Sequence, residues 1–198
     1  NMGVAVFSAS ATSSFIQSLS KKAVQALSSD QISILTATQK GYFSGAQLAA
    51  LSGQAWGGFN NTDIAAFDTS KISSLGKEVI NAFSGYKFSN FTATQMPYFS
   101  ADAVGAIRGD LIAALTGAQL SALLSNARYY PGNPSELTGN AISGITATNV
   151  LGLSAANLQN ISPKAISSLS TLAVKVLTAT QVAALTVSQV SNLTSAQY

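Results

Sequence analysis

The chain has no cysteine, no histidine and very little charge. Without cysteine there is neither a disulfide framework nor thiolate chemistry, a usage that fits an exported bacterial protein. Without histidine, the commonest general base and metal ligand is missing. Charged residues make up 9% of the 198 positions, against about 25% in ordinary soluble domains. The seven acids (Asp30, Asp63, Asp68, Glu78, Asp102, Asp110, Glu136) form no paired or ligand-spaced set. Two Ser-x-x-Lys tetrads, Ser18–Lys21 and Ser84–Lys87, have the spacing of a Ser–Lys dyad but none of its accompanying motifs. The glycine-rich GQAWGGF at 53–59 lacks the Gly-Lys-Ser/Thr of a phosphate cradle. No apolar run reaches the ~18–20 residues of a membrane span. The expectation is a protein that is not an enzyme and carries no cofactor, no metal and no transmembrane segment.

What the chain has is a period of eight. From Thr12 to Leu123 it divides into 14 octads, and from Thr138 to Leu193 into seven more. Position 8 is Leu, Phe or Ile in all 21, and position 5 is apolar in all but one, where Lys40 stands. Position 1 is Ser or Thr in 17 of them, with Asn60 and Asp68 in two others. These residues accept hydrogen bonds from the free N–H groups at a helix start. Position 4 is glutamine at Gln31, Gln39, Gln47, Gln95, Gln119, Gln181 and Gln189. Ser/Thr-x-x-Gln is a capping box. An apolar residue just before the cap, paired with one four residues after it, is a hydrophobic staple. Each octad therefore encodes a helix start, a short helix and another start.

A single long helix does not fit, because an eight-residue period drifts about 80° per unit at 3.6 residues per turn. A β-solenoid remains the alternative, since Ser, Thr, Val and Ile allow strands. Against it, positions 5 and 8 have opposite parity on a strand but share a helix face. The expected fold is all-α: a solenoid of very short helices, one per octad, stable only through stacking. Small residues at positions 2, 6 and 7, such as Ala49, Ala50, Ala183 and Ala184, let neighbours approach closely.

The expected organisation is an N-terminal lead-in at 1–11, a solenoid at 12–123 and an irregular insertion at 124–137. A second solenoid stretch at 138–198, of seven units plus a partial one, continues the first. Residues 1–11 have the small apolar character of a signal-peptide end without its basic start, and a cut from a longer chain reads equally well. The final TSAQY is an octad stopped at position 5, which suggests truncation or an open end.

Three features rise above the repeat. The insertion holds Arg128, Tyr129 and Tyr130 beside Pro131, Gly132 and Pro134, a turn carrying favoured contact residues. Tyr42 and Tyr98 occupy position 7 of the matched segments TATQKGYFS and TATQMPYFS, and either pack on the core or face a partner. Lys40 is expected to snorkel, its stem on the core and its ammonium near the surface. Most aromatics between Tyr42 and Phe99 read as bulkier core, and Pro97 as a disturbance of its helix. The basic residues scatter over octad positions 1 to 6, whereas a nucleic-acid-binding solenoid would hold them in one column. No nucleic acid is expected. Thr-x-Thr pairs at 36/38, 92/94, 146/148 and 178/180 are too sparse for a crystal-binding row.

The LT-x-x-Q-[Val/Ile]-x-x-L units, sharpest at 36–51, 116–123 and 177–197, resemble those of very large exported bacterial repeat proteins, described as adhesins, haemagglutinin-like or haem-utilisation proteins. The resemblance implies an extracellular or cell-surface location. A haem role lacks the histidine that would ligate iron. The functional expectation is a non-catalytic structural or adhesive protein whose partners are itself, in a filament or layer, or other cell-surface components. The alternative is a scaffold that binds a protein or glycan through its concave face and the 124–137 loop.

Overall fold

The computed structural model describes residues 7–8, 11–125 and 137–198. It contains one short helix for every octad and no strand among the described residues, so the fold is all-α. The helices run from Ser13–Ser18 to Val187–Val190, and most span four to six residues. In three octads the helix is 3-10 rather than α: Ala55–Gly58, Met96–Tyr98 and Asn149–Gly152. The first contains Gly57 and Gly58, which are poor helix formers. The second contains Pro97, whose missing N–H removes an α-helical bond.

The caps are those the octad encodes. Thr12 is extended at φ −70° and ψ 162°, and its side chain accepts from the Phe15 N–H. All seven position-4 glutamines close the reciprocal box with their cap residue. Gln95, for example, accepts from the Thr92 N–H at 2.8 Å while its own N–H donates to Thr92 Oγ1 at 3.2 Å. Asp63, Asn149 and Asn157 do the same.

The helices coil in threes. Lys21–Gln25 packs on Gly45–Ala50, that on Thr69–Ile72, that on Met96–Tyr98 and that on Gly117–Leu124. Each partner is the third helix along, so one coil takes three octads and the rod has three sides. The insertion does not interrupt it: Gly117–Leu124 packs on Asn149–Gly152, and Gly109–Ala113 on Gly139–Ser143. The two solenoid stretches form one continuous rod.

Position-5 side chains point into the contact between coils. From Ile16 to Ile166 each is at most 4% exposed. Position-8 residues join them in one elongated core. Most of the aromatic stretch is core, as its spacing implies: Trp56 meets Phe59, Phe67 and Phe83 with ring centroids 5.2, 6.2 and 5.1 Å apart. Where coils cross most closely the sequence supplies glycine on both. A Cβ on Gly117 would lie 2.8 Å from the Gly152 Cα.

Candidate functional site

The polar side chains with most partners lie between the coils of the rod. Position 4 acts in two directions. While its carbonyl oxygen caps its own helix, the glutamine NH2 group reaches back to the preceding coil. Gln95 Nε2 donates to the carbonyls of Ile64 at 2.9 Å and Phe67 at 2.8 Å. Gln47, Gln181, Gln189 and Gln197 repeat this at the same sequence separations, 31 and 28. Those carbonyls belong to positions 5 and 8 of the octad four units earlier. Gln39 finds the equivalent pair at Ser8 and Ala11. These two residues, within the stretch expected to be a lead-in, thus serve as positions 5 and 8 of one more octad.

Across the insertion the separations become 37 and 34, with Asn149 donating to Ile112 and Leu115. Each is longer by six. In the octad frame, 124–137 therefore counts as one octad plus six.

Some octads without an amide at position 4 reach the preceding coil's carbonyls by other means. Lys87 Nζ donates to the position-8 Phe59 carbonyl at 2.6 Å, a separation of 28, and Lys71 Nζ to the position-6 Gly41 carbonyl at 2.6 Å. Arg108, at position 1, donates to the Phe83 carbonyl at 2.9 Å. Ser100 Oγ donates to that of Leu75 at 2.9 Å. Basic residues that look scattered in the sequence are thus partly fastenings between coils.

Lys40 does not snorkel. It is 4% exposed and its Nζ sits 2.7 Å from Asp63 Oδ2, both side chains being buried. The correction has a physical reason. Position 5 faces the next coil, and Asp63 at position 4 of that coil has no NH2 group to donate. The Lys40 ammonium instead pairs with that carboxylate inside the rod. Lys87, nearby, has its pKa lowered by burial; the Asp63 charge opposes that shift and the Lys40 charge adds to it.

The sites expected from sequence divide three ways. Arg128, Tyr129 and Tyr130 lie outside the described residues. The root of the insertion is well anchored on its first side: Asn160 Nδ2 donates to the Leu124 carbonyl at 2.8 Å, and Asn157 Nδ2 to Ser125 Oγ at 2.9 Å. On its second side, Leu137, Thr138, Ser162, Lys164, Ser167 and Ser168 line a shallow hydroxyl-rich groove. Tyr42 is half-buried against the core, whereas Tyr98 is 49% exposed. Their octads are seven apart, which is not a multiple of three, so the two tyrosines stand on different sides of the rod. Tyr86 is the more exposed aromatic at 70%, its hydroxyl accepting from Asn61 Nδ2 at 3.1 Å. The four Thr-x-Thr pairs likewise fall on all three sides.

No family model, curated protein or solved structure matches this chain. Its function is therefore argued from geometry. Among the described residues no three His, Cys, Asp or Glu side chains converge as metal ligands would, and no helix is long and apolar enough to cross a membrane.

Proposed function

We propose that this chain is a non-catalytic structural repeat protein of a bacterial exterior, acting through its surface by assembling into a filament or layer, or by adhesion. One observation carries the reading. The position-4 amides, with Lys40, Lys71, Lys87 and Arg108, are turned toward the neighbouring coil and bond successive coils together. The outside is mostly Ser, Thr, Asn, Gln and Ala with a few scattered charges of both signs, so copies meet with little like-charge repulsion. The likeness of the LT-x-x-Q units to exported bacterial repeat proteins supports the same location. Sedimentation and negative-stain microscopy test it: particles should grow as concentration rises. A strictly monomeric protein from micromolar to millimolar would reject self-assembly.

A second reading is favoured by one observation at 124–137. Six residues there exceed what the octad frame uses, beside a groove lined by serine and threonine hydroxyls and apolar atoms. A scaffold that binds a specific protein or glycan through this segment would lose its partner on Tyr129→Ala with Tyr130→Ala, while self-assembly stayed intact. Unchanged adhesion to a host-cell or glycan surface would count against it.

A further inference from the structure

An array of like octads has a register problem. Caps, staples and amides recur along the chain, so a coil that looped out one octad would still find helix starts, apolar contacts and carbonyls to bond. These local patterns do not say which octad stacks on which. A contact that suits the right neighbour and rejects the wrong ones must decide it.

Lys40 and Asp63 form such a contact. Lys40 is the only charged residue at position 5 of the 21 octads, and Asp63 is the only acid at position 4. Their octads stack one coil apart. Lys40 Nζ lies 2.7 Å from Asp63 Oδ2, with the side chains 5% and 2% exposed. The same oxygen accepts from the Asn60 N–H at 2.8 Å, so the carboxylate is fixed by its own cap before the next coil meets it.

The neighbouring alternatives are all worse. Stacked one octad further along, Lys40 would meet Lys71 at position 4, ammonium against ammonium. One octad nearer, it would meet Ala55. Asp63 would meet Leu48 or Ile32 at position 5. Each slip leaves two buried charges unpaired, and an unpaired buried charge is strongly destabilising. An isoleucine facing a glutamine carries no such discrimination, because apolar residues and amides recur at these positions in the adjacent octads. The attraction within the pair is largely offset by the desolvation of its two charges. Its contribution lies in the difference between registers.

We propose that the buried Lys40–Asp63 pair is a register key, selecting which octads stack in the aromatic part of the rod. A single buried polar contact fixes alignment in coiled coils on the same ground.

The test reads Trp56, the only tryptophan. It belongs to the octad 52–59, between the octads of Lys40 and Asp63. It is 1% exposed, its ring meets Phe59, Phe67 and Phe83, and its Nε1 has no hydrogen-bond partner among the described residues. The shift of its indole N–H resonance therefore depends on which octads surround it. The unsubstituted protein should give one such resonance. The Lys40→Ile, Asp63→Gln variant should give two or more, with helix content and thermal midpoint no lower. Adding Leu48→Lys and Lys71→Asp to that variant moves the pair one octad along and should restore a single resonance. A single resonance in the Lys40→Ile, Asp63→Gln variant would overturn the proposal. So would a loss of helix and midpoint in it, which would make the pair a support for stability alone. Several resonances after the pair is moved would show that charge pairing does not select the register, and the proposal fails.

Discussion

At the scale of the residue, position 4 decides how one coil finds the next. Gln95 is nearly buried, with one amide oxygen on its own cap and its NH2 group on two carbonyls of the coil below. Gln95→Glu keeps the cap but loses that donor and sets a carboxylate against two carbonyl oxygens. It should cost about 2–4 kcal/mol at neutral pH. The glutamate pKa is raised in the fold, because its neutral form is the one tolerated. The penalty should therefore shrink as pH falls from 7 through that raised pKa and reach its minimum below the unfolded value of about 4.3, and thermal unfolding at pH 7 and pH 4 reads the difference. The Lys40–Asp63 pair is the other residue-scale test. Lys40→Ala strands a buried carboxylate and should cost about 3–5 kcal/mol. Lys40→Ile with Asp63→Gln restores the ordinary octad, and denaturant unfolding should find it at least as stable as the starting protein. A double variant as unstable as Lys40→Ala would show that the pair does more than replace an amide.

At the scale of the element, helices of four to six residues survive because each is capped at one end and pressed between two others. Gly152→Ala would put a Cβ 2.5 Å from the Gly117 Cα, where backbone meets backbone. It should destabilise by about 1–3 kcal/mol through overpacking. Gly41→Ala meets nothing within 4 Å and should be neutral or gain up to ~1 kcal/mol from helix propensity. Chemical denaturation of the two variants separates the effects. The caps and the helix in each octad were legible from spacing, because capping is local and its partners lie within one turn of each other. The number of octads per coil was not, since closure depends on contacts between helices three octads apart, which no local pattern encodes. One signal was present and informative. A capping box accepts an acid as readily as Gln, yet position 4 carries an acid only at Asp63, where Lys40 lies against it. A position that takes the amide freely and the acid only beside a lysine is using its NH2 group. The burial of Lys40 was equally readable in principle, because Asp63 falls at position 4 of the octad stacked on it.

At the scale of the whole molecule, contacts run only between adjacent coils, so stability accumulates along one dimension. Val182, Val187 and Val190 are exposed whereas every position-5 side chain between 44 and 91 is buried, so the amides of 178–190 should exchange faster than those between 44 and 91. Hydrogen exchange read by mass spectrometry checks this; uniform protection along the rod would mean that it unfolds as a single block. The three-octad coil also fixes which changes of length the rod can absorb. Gaining or losing three octads returns every later octad to its own side. Gaining or losing one turns all that follows by a third of a revolution. Tyr42 and Tyr98, on different sides and seven octads apart, would face the same way if a single octad were deleted from the stretch that separates them. A duplication or deletion of one octad could thus re-address the surface of this rod without altering any residue on it.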